Sequence, residues 1–123
     1  MKTLDKKTAL RLTAILGGLA VALGAFGAHG LEQILTQHGR IEAWNTAAHY
    51  HLIHAVVLLV LLSMKTWRPR TWISMATGIL IFSGSLYLLC LTQIGWLGAI
   101  TPIGGLFLLG GWISLAFSPR DGN

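Results

Sequence analysis

The chain has 123 residues, 54% of them hydrophobic and only 11% charged. A water-soluble domain carries about 25% charged residues, so there is too little polar surface here to cover a soluble globule, and the length leaves no room for a second domain beyond a single unit at 1–123. The formal net charge of +5 sits in short clusters beside apolar runs. It therefore points to a lipid bilayer with anionic headgroups at one face, and no basic stripe interleaved with aromatics invites a nucleic acid.

A hydrocarbon core of about 30 Å needs about 20 apolar residues in a helix. Four runs qualify, at approximately 10–29, 45–64, 72–91 and 95–117. Period-two alternation is absent, so the fold class is all-α: an integral membrane four-helix bundle.

The first run carries Gly17, Ala20, Gly24, Gly27 and Ala28. Steps of three, four, three and one place these small residues along one face, where another helix can approach closely. Residues 1–27 also have the basic start, apolar stretch and small residues of a signal peptide, and cleavage there would leave three spans. The small residues continue past that point into Ala28-His29-Gly30, which favours an uncleaved span.

The connection from Gly30 to about Ile41 is polar apart from Leu31, Ile34 and Leu35, a pattern expected of a short amphipathic turn on the membrane surface. The second run follows, its helix starting near Glu42. The third and fourth carry Ser74, Gly78, Gly84 and Ser85, then Gly104, Gly105, Gly110 and Gly111, all read as helix contacts. Ser83 is read the same way. A tight turn near Thr92–Gln93 joins them. Thr101-Pro102 marks either the start of the last helix or a kink near its outer end. The lone cysteine, Cys90, lies in an apolar run and reads as a packing residue.

Of the nine Lys and Arg residues, eight fall in the N-terminal segment (Lys2, Lys6, Lys7, Arg11), the second connection (Lys65, Arg68, Arg70) and the C-terminal segment (Arg120). With four spans these segments share one side, and Arg40 stands alone on the other. The positive-inside rule then places both termini in the cytoplasm. Trp67, Trp72, Trp96 and Trp44 lie near the expected interfaces, as an aromatic belt requires.

All five histidines fall between His29 and His54, which this topology gathers toward the non-cytoplasmic side. His51 and His54 are three apart and share a helical face, and Tyr50 and His54 are four apart and are neighbours. Glu42, Asn45 and His49 follow another strip. Imidazoles so placed can hold Zn, Cu, Ni or haem iron, or relay protons. They can equally bond across to neighbouring helices. The identity of any metal stays open at this point. No zinc-hydrolase motif, cysteine pair or nucleophile–base–acid set accompanies them, and the spans after Leu12 hold no Asp, Glu, Lys or Arg. No catalytic residue, no cofactor and no enzymatic activity are expected.

Four segments resemble the YgdD/YwdK-like family of small bacterial inner-membrane proteins of unknown function. They are Leu23-Gly24-Ala25-Phe26-Gly27-Ala28-His29, Tyr50 through Ala55, Phe82-Ser83-Gly84-Ser85-Leu86-Tyr87, and Thr101-Pro102-Ile103-Gly104-Gly105 with Gly111-Trp112. They occur in family order, one near each span, and the match runs over residues 10–117. A similar pattern occurs in a eukaryotic small transmembrane family. The resemblance implies a four-helix membrane protein and adds no catalytic assignment. His29, Tyr50 and His54 fall on its motif positions. His51 stands where bacterial members often have glutamine, which weakens an essential ligand role for it, and His38 and His49 match no motif.

The resulting expectation is a non-enzymatic, multi-pass membrane protein with a structural or accessory role, able to associate with further copies of itself. The alternative is an outward-facing histidine site built from His29, Tyr50, His51 and His54 that binds a metal or haem, or forms a small proton or solute pathway.

Overall fold

The structure is a computed structural model, and it describes residues 3–117. Lys2 and Arg120, two of the residues used to orient the chain, lie outside the described residues, as do the outer limits of the single domain 1–123. Every element is helical: α1 (Lys6–Ala28), α2 (Glu32–His38), α3 (Ile41–Ser63), α4 (Pro69–Thr92) and α5 (Leu97–Ala116). All but α2 are long and apolar enough to cross a membrane.

The helix ends follow local chemistry. Asp5 caps α1 by accepting the Thr8 backbone N–H at 2.7 Å, and that bond holds its carboxyl below the usual carboxylate range. Gly39, with φ +67°, closes α2 in the left-handed conformation that costs glycine least. Pro69 sits in the first turn of α4, where its missing N–H does no harm. Gln93 closes α4 at φ 59°. The last helix does not begin at Thr101-Pro102. It starts at Leu97 with three tight i to i+3 bonds, so Pro102 lies inside α5 and leaves the Gly98 carbonyl without its helical donor.

α3 and α4 form the middle pair. α1 packs on α3 and reaches α4 where Trp72 donates to Thr13 Oγ1 at 3.0 Å. α5 packs along α4 and reaches α3 where Trp112 donates to His54.

The α4–α5 seam is the closest in the molecule. Met75, Gly78, Phe82 and Ser85, at steps of three, four and three, face Gly111, Leu108, Gly104 and Thr101 at the same steps on the antiparallel helix. Each glycine on one helix receives a larger group from the other. A Cβ on Gly78 would lie 2.7 Å from Leu108 Cδ2, and one on Gly104 would lie 2.7 Å from Phe82 Cα. Lipid gives no hydrophobic drive for helices to associate, so this close approach supplies dispersion contacts and admits hydrogen bonds between helices. Ser85 and Thr101 hydroxyls meet at 2.6 Å, Thr71 and Ser114 at 2.6 Å, and Ser74 donates to the Phe107 carbonyl at 2.7 Å.

The small-residue face read on α1 is only partly used. Ala20 and Gly27 are buried, and Gly27 abuts the Trp44 indole. Gly17 and Gly24 meet nothing within 4 Å. Nor do all the tryptophans form a surface belt. Trp44 and Trp72 are buried core residues whose N–H groups bond inside the bundle, to the Leu23 carbonyl and to Thr13.

α2 forms where an amphipathic turn was expected, but Leu35 packs into a cluster with Trp44, Ala47, Tyr87 and Cys90. The connection is fastened over the end of α4. His38 Nδ1–H donates to the Cys90 carbonyl at 3.0 Å, one of the acceptors that a helix end leaves free. Arg40 donates to Gln93 Oε1 at 2.7 Å, and Gln93 donates to the His38 carbonyl at 3.2 Å. Cys90 is fully buried, as read from the sequence.

Candidate functional site

The histidines separate into exposed and buried groups. His29 is the exposed C-cap of α1, and His49 is exposed on α3. His51 and His54 are buried, with 3% and 6% of their surface accessible. The three-residue step between them falls about 60° short of a full turn, and that difference sends the two rings into different seams. His51 faces α4 and α1, whereas His54 faces α5. The shared face expected from their spacing therefore does not make one site of them. Among the described residues no group of three His, Cys, Asp or Glu side chains is placed to hold a metal ion.

His54 is fully engaged. Trp112 Nε1–H, which can only donate, bonds to His54 Nε2 at 3.1 Å. That nitrogen is therefore the acceptor and the proton sits on Nδ1, which donates to the Tyr50 carbonyl at 2.8 Å. The ring also stacks on Tyr50, with centroids 6.1 Å apart and planes 7° apart, as the four-residue spacing predicts. Phe82 of α4 packs tilted against Tyr50, with centroids 4.9 Å apart. With both nitrogens bonded, the imidazole has no lone pair free for a metal. A double-mutant cycle of His54→Leu and Trp112→Phe, read by unfolding in mixed micelles, is expected to give a coupling of about 1 kcal/mol. Strictly additive effects would remove the bond from the account.

His51 is different. Its Nδ1 lies 2.9 Å from the Tyr87 hydroxyl, and its Nε2 is buried without a hydrogen-bond partner. The Leu16 main chain lies beside the ring. Tyr87 makes no other hydrogen bond, so its O–H donates to Nδ1 and the ring proton rests on Nε2. Trp44 packs against Tyr87 at 4.8 Å and fixes the phenol. Ser83, one turn before Tyr87, donates to the Ala47 carbonyl at 2.7 Å. His51, Tyr87 and Ser83 line a cavity of about 150 Å³ between α1, α3 and α4.

Of the four residues singled out in the sequence, Tyr50 and His54 come together, His51 stands one seam away, and His29 makes no contact with them. Sequence reasoning missed Tyr87 and Trp112 as the partners of the buried histidines. Both lie within motif segments, but each is more than 35 residues from its histidine, and only helix packing joins them.

Residues 23–105 match the family described as "Protein of unknown function (DUF423)". Bacillus subtilis YwdK, a UPF0382 membrane protein, is 43% identical over 116 residues, covering 89% of this chain and 93% of its own length. A UPF0382 membrane protein of Staphylococcus haemolyticus is 43% identical over 117 residues, covering 89% of this chain and 95% of its own. A eukaryotic UPF0382 membrane protein, from Schizosaccharomyces pombe, is 34% identical over 115 residues, covering 88% and 98%. No solved structure matches the chain. With four apolar helices of spanning length and relatives along almost its whole extent, the chain is a multi-pass membrane protein belonging to the DUF423 family, whose molecular function is unknown.

Proposed function

We propose that this chain is a non-enzymatic protein of the bacterial inner membrane, with both termini in the cytoplasm, acting as a structural or accessory component. The observation that carries this reading is how the polar side chains within the spans are used. Thr13, Ser83, Ser85 and His54 each bond to another helix, so they hold the bundle together and leave no nucleophile and base aimed at a common point.

The orientation is supported by charge. Trp67 donates to the Leu4 carbonyl at 2.8 Å, which brings Lys65, Arg68 and Arg70 to the same end as Lys6, Lys7 and Arg11. Arg68 also lines a cavity of about 410 Å³ with Trp67, Arg70 and Thr71, and its buried Nε has no partner. A guanidinium so placed suits an anionic phospholipid headgroup. The open faces of Gly17, Gly18 and Gly24 leave room for a second copy of the chain.

A reporter fused to the C-terminus is expected to be active only in the cytoplasm, and an outward-facing reporter would overturn the orientation. Protein purified in detergent without an affinity tag is expected to carry neither stoichiometric metal nor a haem absorption band. Either one, lost on His51→Leu or His54→Leu, would overturn the fastening role of the histidines.

A further inference from the structure

Three segments meet at the basic end of the bundle: the connection after α3, the first turn of α4 and the last turn of α5. They enclose the cavity of about 410 Å³ at Arg68, whose walls include Trp67, Arg70, Thr71 and Phe117. Its positive charge is uncompensated. Arg68 Nη1 reaches the Ser114 carbonyl only at 3.5 Å, the outer limit of a hydrogen bond, and Nε is buried without a partner. Nη2 bonds to nothing and, unlike Nε, is not buried, so it is a donor open to a ligand. Arg70 is exposed and makes no ion pair. Among the described residues no carboxylate lines the cavity, and Asp5, the one acid among them at this end, is held by the Thr8 N–H.

The backbone adds to this potential. Pro69 has no N–H, and the first helical bond of α4 runs from Trp72 to the Arg68 carbonyl. The Arg70 and Thr71 N–H groups therefore lack a helical acceptor, and no side chain caps them. An anion with several acceptor oxygens fits two guanidinium groups and such a helix start. Spans end at headgroup level, and Trp67 and the exposed Phe117 give the cavity an apolar rim. We propose that this cavity is a discrete site for one anionic phospholipid. Arg68, Arg70 and the first turn of α4 hold its phosphate, and Trp67 and Phe117 lie against its glycerol backbone. The site selects against zwitterionic headgroups, because an ammonium there would face two guanidinium groups and no carboxylate. The proposal rests on the lipid reading of Arg68 given above. It adds that one lipid is held by its headgroup, where a charged surface alone would attract many.

The test is native mass spectrometry of the full chain in neutral detergent, titrated with phosphatidylglycerol or with phosphatidylethanolamine carrying the same acyl chains. Wild type is expected to retain one phosphatidylglycerol, bound at least about tenfold more tightly than phosphatidylethanolamine. Arg68→Gln is expected to weaken phosphatidylglycerol binding by about tenfold. Arg68→Lys, which keeps the charge and loses the planar fork, is expected to recover only part of it. Arg70→Gln changes an exposed side chain, so it separates binding from folding, and is expected to weaken binding by about fivefold. Arg11→Gln removes the same charge at the same end but outside the cavity, and is expected to leave the affinity unchanged. Equal losses in Arg11→Gln and Arg68→Gln, or no lipid retained by wild type, would overturn the discrete site and leave the accessory role and the orientation standing. Equal binding of the two lipids overturns the headgroup selection. Displacement of the lipid by inorganic phosphate at equal concentration would make the ligand a soluble phosphate and overturn the lipid.

Discussion

Gly104→Ala is expected to destabilise the bundle by roughly 3 kcal/mol, the upper end of the range for overpacking. The added Cβ would strike the Phe82 backbone nitrogen and lie 2.7 Å from Phe82 Cα. A flexible side chain could swing away from such a contact; a helix backbone cannot. Relief requires α4 and α5 to separate, which would loosen the neighbouring Ser85–Thr101 bond and the Gly78–Leu108 and Gly111–Met75 contacts together. The matched control is Gly17→Ala, where a Cβ meets nothing within 4 Å. Alanine is the better helix former, so this change is expected to be neutral or stabilising by up to about 1 kcal/mol. Reversible unfolding in mixed micelles, followed by circular dichroism, measures both. Similar unfolding midpoints for Gly104→Ala and wild type would show that the α4–α5 seam is wider than described.

Trp44→Ala is expected to lower stability by about 3–5 kcal/mol and to open the end of the bundle opposite the basic clusters. Trp44 is 1% exposed. Its ring fills the space left by Gly27, packs against Tyr87 and donates to the Leu23 carbonyl, so it joins α1, α3 and α4 at one point. Removing it leaves a hole beside Leu35 and Cys90 in the same cluster. Cys90 is the chain's single cysteine and is fully buried, so its thiol reports on that hole. Maleimide labelling of Cys90 is expected to be slow in wild type and much faster in Trp44→Ala. Trp44→Phe keeps most of the ring and loses one hydrogen bond, for a smaller effect of about 1 kcal/mol. Unchanged labelling in the alanine variant would mean that Trp44 does not seal this end.

The membrane character was legible from composition and run length, because hydrocarbon imposes the same demand on any helix that crosses it. The run at 72–91, for example, needed only its own apolar length to be recognised, and the helix found there is Pro69–Thr92. The uses of Ser83, Ser85 and Cys90 as packing residues were legible for the same reason: in lipid, small and weakly polar side chains are most useful where helices meet.

What the local pattern could not decide was which neighbour each face would meet. Gly17 and Gly104 look alike in sequence, yet one is open and the other touches backbone, since the outcome depends on the bulk across the seam. His51 and His54 share a spacing that promises a single site, and Pro102 sits beside a threonine that could have capped a helix start. The structure instead sends the two rings into separate seams, and it carries the helix five residues upstream of the proline. Residue identity along the chain determined the solvent, the number of spans and the end at which the charges gather. Only tertiary packing decided that His54 pairs with Trp112 and His51 with Tyr87, because a hydrogen bond between helices depends on the register of two segments far apart in sequence.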